Sequence, residues 1–316
     1  MIDRNIIDLV SSRTKITKRD LIEKDLILHR LLVELSSNKY FFENFAFKGG
    51  TCLMKCYIDY YRFSEDLDFT FIDQKRFSNK TKGQIGKTLS KEIDGVAKLL
   101  KSTADKIGVD FKLNKNNKKY FEFGGSKRFV TFKLWYVPEG QEEETFVKIQ
   151  INFIEQLEFP IKEKNTNNIF FGKFKSLELA FLLPENSEWI LKIPKLKCYD
   201  IREVLIEKVR AILTRKGVKA RDFIDVYMIE KKENLDVRDF KKQIIDKITA
   251  MLKFEKYRLN LGKKDTLIFQ KGEEERVMLT SLPKDFDSFL KRFNSFLEEI
   301  KKEADSKNSK VYSLEQ

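Results

Sequence analysis

Two aspartates two residues apart, Asp66 and Asp68, stand in the run Asp66-Leu67-Asp68-Phe69-Thr70-Phe71. Strict alternation of polar and apolar residues marks a half-buried strand, with Asp66, Asp68 and Thr70 on one face and Leu67, Phe69 and Phe71 on the other. Same-face neighbours on a strand sit roughly 6.5–7 Å apart along the backbone. Carboxylates that close repel each other unless a cation sits between them, which favours a hard divalent metal with oxygen ligands. Just upstream, Gly49 and Gly50 follow the apolar Phe45-Ala46-Phe47 and precede Leu53, Met54, Tyr57 and Ile58, spaced as on one helix face. A strand, a glycine turn and a helix start leave bare N–H groups at a positive helix end, a place that holds phosphate. Thr51 would add a hydroxyl there, and Lys48 and Lys55 charge. Each half alone also suits an ordinary turn or a strand with solvent-facing acids. Together they read as a metal-ready strand beside a phosphate-ready turn.

These residues carry a resemblance. GGTCLMK followed by RFSEDLDF is similar to the opening motif of the AbiEii/AbiGii toxin family, a branch of the DNA-polymerase-β-like nucleotidyltransferases. Gly49, Gly50, Thr51, Leu53 and Lys55, then Arg62, Ser64, Asp66 and Asp68, fall where that family has them. The resemblance implies transfer of a nucleoside monophosphate from an NTP, with one or two Mg²⁺ ions held by Asp66 and Asp68. It implies nucleotide contacts from Gly49, Gly50, Thr51, Lys55, Arg62 and Ser64.

A second constellation lies downstream. On the helix expected over Ile201 to Arg215, Ile201, Val204, Leu205, Val209 and Ile212 form an apolar stripe with Lys208 in its middle. A lysine so placed is unfavourable unless its ammonium reaches water or an anion. A triphosphate is one such anion; snorkelling past the core edge is the alternative. Asp222 and Asp225, three apart, share one flank of the next helix, with Phe223, Ile224 and Tyr227 on its core side. The stretch from Tyr199 to Ile229 resembles later motifs of the same family. By that resemblance Lys208 contacts the triphosphate and Asp225 is a functional aspartate that orients the acceptor hydroxyl or helps seat the metal. Asp222, with Glu207, Arg215 and Arg221, matches supporting positions.

The elements that must hold these groups are legible in outline. Residues 1–45 read as helical, with Ile22, Leu26, Leu28, Leu31, Leu32 and Leu35 at helical spacing. A second amphipathic helix is expected over residues 84–107. Strands follow at Val109–Leu113, Tyr120–Phe123, Phe129–Val137 and Phe146–Glu155. The last places Lys148, Gln150 and Asn152 on one face, and Gln150 stands where the resemblance implies a third acid. Glu155 or an acid elsewhere would then have to help. Short apolar segments at Phe170–Leu183 and Trp189–Ile193 precede Pro194. From Asp200 to about Leu252 the pattern is helical, with Asp200 and Glu203 resembling a capping box. A charged loop or hairpin is expected over residues 260–278, then a helix over Phe286–Ile300 and a frayed tail after Glu303.

Composition narrows the class. The 316 residues carry a net charge of +13 and 41% hydrophobic residues, 28 of them Phe. Such a chain fills a core, and its basic excess points to an acidic partner, nucleic acid foremost. Three cysteines (Cys52, Cys56 and Cys198) give no disulfide framework, and with a single histidine, His29, they complete no zinc set. They read as small hydrophobes of a reducing cytoplasm. His29 sits in an apolar helical run and reads as structural. The amino terminus has no signal-peptide pattern, and no window approaches the length of a membrane span.

The expectation is an α+β fold, a nucleotidyltransferase-type mixed sheet flanked by helices with an appended C-terminal helical domain. Residues 1–198 would form the nucleotidyltransferase core and residues 199–316 a mainly helical domain closing its cleft. The function expected is a cytoplasmic, Mg²⁺-dependent nucleotidyltransferase acting on RNA, a tRNA 3′ end, as the toxin of a toxin–antitoxin or phage-defence system with a cognate antitoxin. Protein nucleotidylation, metal-dependent nuclease action and a catalytically silent RNA- or partner-binding module are the other readings.

Overall fold

Alternation at Asp66–Phe71 does form a strand, β2, and a mixed sheet grows to either side of it. A computed structural model of the chain describes residues 2–264, 269 and 276–314. Two compact units result: Met1–Glu155 with Ile161–Tyr199, and Gln156–Pro160 with Asp200–Gln316.

The first unit opens with α1 (Arg4–Thr14), α2 (Arg19–Ser37) and α3 (Lys39–Asn44), then β1 (Phe45–Lys48) and α4 (Gly49–Leu53), which runs on as a π-helical turn, Met54–Ile58. After β2 come α5 (Lys82–Ile107), β3 (Phe121–Gly124), β4 (Phe129–Tyr136), β5 (Thr145–Asn152), β6 (Lys162–Asn165), α6 (Ser176–Leu182), α7 (Ser187–Leu191) and β7 (Lys195–Cys198). The strand order is β3-β4-β5-β2-β1-β7-β6. β2 pairs antiparallel with β1 and parallel with β5. One face of the sheet is apolar throughout: Phe45, Phe47, Leu67, Phe69, Phe71, Val130, Phe132, Leu134, Val147, Ile149 and Ile151 are all buried. Phe41 of α3 stacks on Phe45 at 4.8 Å and meets Phe69 edge-on at 4.9 Å, so the helices seal this face with aromatic rings. His29 is buried within α2, its Nε2 donating to the Trp189 carbonyl at 3.2 Å.

The second unit is helical: α8 (Ile201–Thr214), α9 (Ala220–Glu233), a 3₁₀ turn at Val237–Phe240, α10 (Lys241–Leu252), α11 (Glu255–Gly262) and α12 (Phe286–Leu314). Among the described residues no helix is long and apolar enough to cross a membrane.

Several expectations need correction. Val109–Leu113 is not a strand: Asp110 makes one isolated bridge to Trp135, while Lys133 N–H already bonds the carbonyl of Tyr120. The edge of β4 is thus taken by the β3 hairpin. β6 and β7 lie where no strand is expected: Lys162–Asn165 is wholly polar, and the alternation of Lys195–Cys198 spans only four residues. Asp200 caps α8 through Arg202 N–H, but Glu203 does not reach back; its carboxylate accepts the N–H groups of Glu158 and Phe159 at 2.9 Å each. α12 continues past Glu303 to Leu314 instead of fraying there. Most of the loop expected over residues 260–278 lies outside the described residues.

Candidate active site

Register places the glycine pair against the acidic strand. Lys48, the last residue of β1, pairs with Asp68 of β2, so the chain leaves the sheet at Gly49 beside that carboxylate. Gly49 has φ +77°, a left-handed conformation that a side chain disfavours, and a β-carbon there would overlap Oδ2 of Asp68. Gly50 is confined as well: its β-carbon would stand 2.5 Å from Arg62 Nη2 and 3.2 Å from Ser64 Oγ. Two glycines, one aspartate, one guanidinium and one hydroxyl therefore converge where α4 begins. Arg62 is 1% exposed, with Nη1 donating to the Phe63 carbonyl at 2.8 Å. A buried guanidinium held by backbone is a rigid cation next to the turn.

Asp66 and Asp68 lie on the same, polar face of the sheet and are both half-buried. Across the parallel β2–β5 pairing, Asp66 neighbours Lys148 and Asp68 neighbours Gln150. Gln150 donates to Thr131 Oγ1 at 3.3 Å, as an amide can and a carboxylate cannot. Glu155 lies beyond the end of β5, where its carboxylate accepts from Asn152 at 2.7 Å and pairs with Lys48 at 3.3 Å. Among the described residues, no third acid, histidine or cysteine joins Asp66 and Asp68 in a set tight enough to share an ion. The pair still fits a hard divalent cation: both donors are carboxylates, they share one face, and Gly49 has the bare backbone that lets the turn close on Asp68.

Two of the expected phosphate groups are committed elsewhere. Thr51 is buried and its hydroxyl donates to the Asp66 carbonyl at 2.5 Å, tying the turn to the strand. Lys55 is wholly buried: its ammonium pairs with Asp25 of α2 at 2.8 Å and bonds the Tyr60 hydroxyl, which itself donates to Asp25 at 2.8 Å. Burial, and then the Asp25 carboxylate, push the Tyr60 hydroxyl well above its ordinary pKa, so it serves as a neutral donor. Lys55 holds the helix after the turn to α2.

In the second unit, Lys208 lies on the buried face of α8 as the periodicity predicts, but the anion it meets is protein. Its ammonium pairs with Asp225 at 2.6 Å and with Asp222 at 3.0 Å, and Arg215 pairs with Asp222 at 2.7 Å. Asp225 is fully buried and Asp222 nearly so. Burial raises the Asp222 pKa, but Lys208 and then Arg215 more than offset it, and the carboxyl ends below its ordinary value. The result is a charge-balanced cluster joining α8 to α9. A neighbouring group invisible to sequence periodicity has Lys247 of α10 paired with Glu203 and Glu207 of α8.

The model for the nucleotidyl transferase AbiEii toxin family, of the type IV toxin–antitoxin systems, matches residues 30–308. The chain belongs to this family. It is a nucleotidyltransferase, and the motif residues that suggested the resemblance lie within the matched span. Among solved structures, JHP933 from Helicobacter pylori is 15% identical, with 94% of this chain and 98% of that one covered at a TM-score of 0.41. An antigenic nucleotidyltransferase-like protein from Paracoccidioides brasiliensis is 16% identical, with 74% and 93% covered at a TM-score of 0.29. Likenesses this distant add nothing to the family match. No curated protein matches the sequence.

Proposed function

We propose that this toxin-family enzyme moves a nucleoside monophosphate from an NTP to the 3′ end of an RNA, a tRNA, with Mg²⁺ held by Asp66 and Asp68. The observation that carries the reading is the closure of the Gly49 turn on Asp68. It sets backbone N–H groups, Arg62 and Ser64 around a carboxylate suited to a divalent ion. When bound, the ion would withdraw charge from the phosphates and ease attack at the α-phosphorus. Gly49 and Gly50 offer amides to phosphate oxygens, Ser64 a hydroxyl, and Arg62 a fixed positive charge at the turn. The acceptor hydroxyl releases its proton to solvent as its oxygen bonds the α-phosphorus, and the bond to the bridging oxygen breaks to release pyrophosphate.

By the family resemblance, Lys208 is the lysine expected to contact the triphosphate. Asp225, sealed from solvent against that ammonium, is then a positioning residue, and Asp222 with Arg215 completes its support. The net charge of +13 favours an RNA acceptor over a protein one. An antitoxin protein is the partner implied by the family.

The test supplies the full chain with Mg²⁺, each labelled NTP in turn, and total RNA together with protein. Label should enter RNA, and Asp68→Asn should lower the rate by about 100-fold or more while leaving the fold intact. Label on polypeptide alone would reject the RNA acceptor. Near-normal transfer by Asp68→Asn would reject the metal assignment.

A further inference from the structure

Three sulfurs from separate parts of the chain meet beneath the glycine turn. Cys52 lies in α4, Cys56 in the π-helical turn that follows, and Cys198 at the end of β7. All three are free thiols, and their Sγ atoms lie within 4.8 Å of one another. The fold explains the meeting: β1 and β7 run parallel with Phe47 opposite Cys198, and the helix after Gly49 carries Cys52 and Cys56 back towards the end of β7. Among the described residues no other set of potential metal ligands is gathered so closely.

We propose that Cys52, Cys56 and Cys198 form a three-sulfur site for one thiophilic d¹⁰ cation, Zn(II) or Cu(I). Sulfurs bound to one ion at about 2.3 Å stand about 4 Å apart, so the trio needs only small movements to close on a metal. Thiolates select such soft ions over the hard cation that suits Asp66 and Asp68. A disulfide fits the trio less well, because it brings two sulfurs to about 2.05 Å and strands the third. Cys56 is half-buried, while Cys52 and Cys198 are buried. Positive charge is close at hand: Lys164 Nζ lies 4.8 Å from the ring centroid of Tyr57, whose hydroxyl donates to the Tyr199 carbonyl at 2.6 Å and lies 3.7 Å from Cys198 Sγ. Binding releases one proton from each thiol that coordinates.

Such an ion would clamp the nucleotide turn. Cys52 is two residues from Gly50, and Cys198 adjoins Tyr199, whose hydroxyl meets Thr70 Oγ1 at 2.7 Å on the strand of Asp66 and Asp68. Metal binding should therefore stabilise the first unit whatever the acceptor of the transfer reaction.

The full chain, reduced and freed of metal under anaerobic conditions, is titrated separately with Zn(II), Cu(I) and, as a spectroscopic probe, Cd(II). One ion per chain, a sulfur-to-cadmium charge-transfer band, protection of all three thiols from a thiol reagent and a higher unfolding temperature are expected. Tighter binding by either Zn(II) or Cu(I) tells which ion the site favours. Cys198→Ala should weaken binding by roughly 10–100-fold. Thiols that stay fully reactive at one equivalent of every ion, or equal affinity in Cys198→Ala, would overturn the site. So would a disulfide within the trio that forms in place of metal uptake. The thiol-protection result on the unaltered chain decides the matter even where the variant does not fold.

Discussion

Gly49 and Asp68 occupy a space that admits only one of their two side chains. Gly49 holds φ +77°, and a β-carbon on it would run into the Asp68 carboxylate and stand 3.0 Å from the Asp68 β-carbon. Gly49→Ala therefore strains the backbone by about 1–2 kcal/mol and displaces Asp68 at the same time. Denaturant unfolding should show the first loss. A fall of about 100-fold in nucleotide transfer should show the second, since a displacement near 1 Å is enough for that. Gly217, with φ +74° and open space around its missing β-carbon, is the control. Gly217→Ala should show the backbone strain without the loss of transfer.

Lys55 and Asp25 are both buried and paired at 2.8 Å. Removing one partner leaves a buried charge without its counter-ion, so Lys55→Met should destabilise the chain by about 3–5 kcal/mol. The double variant Lys55→Met/Asp25→Leu should recover much of that stability. Were Lys55 a nucleotide ligand instead, the double variant would fold well yet bind NTP poorly; unchanged NTP affinity in the refolded double variant is the expected result.

What could be read from sequence was local. The alternation at Asp66–Phe71 determines which residues share a face, and the placing of Gly49 and Gly50 directly after an apolar strand marks a turn into a helix. Neither needs knowledge of distant chain. The partner of Lys55 is not legible in sequence, because Asp25 lies on α2 and only packing of that helix against the π-helical turn brings the two together. The helix angle places Lys208 on a buried stripe and says that an anion is needed, not which one. The pairing with Asp222 and Asp225 depends on how α8 meets α9. Cys198 joins Cys52 and Cys56 only through the parallel pairing of β1 with Lys195–Cys198, a strand whose alternation is four residues long and whose partner is distant in the chain.

The single histidine sets an acid limit on stability. Burial, followed by the charge of Lys55, lowers the His29 pKa to about 3. Between roughly pH 6.5 and that value the unfolded chain binds a proton that the native chain refuses. Stability is therefore complete above about pH 6.5 and is lost as pH falls, at up to about 1.4 kcal/mol per pH unit from this group. Unfolding free energies measured from pH 7 to 4.5 should show that slope, and His29→Leu should flatten it by one proton. An unchanged slope in His29→Leu would assign the acid limb to other groups.

Lys208 is held by two buried carboxylates, and that makes its catalytic test ambiguous unless stability is measured beside it. Lys208→Met leaves Asp222 with Arg215 but Asp225 without its lysine, which should cost about 3–5 kcal/mol. Loss of transfer in that variant could come from unfolding alone. Lys208→Met/Asp225→Leu removes both members of the pair and should regain most of the stability. If Lys208 serves only to join α8 to α9, transfer returns with the fold. If its ammonium steadies the pyrophosphate, the double variant folds and stays impaired, with kcat falling more than NTP affinity because the interaction strengthens as charge develops on the leaving group. A stable double variant with low kcat is the expected outcome.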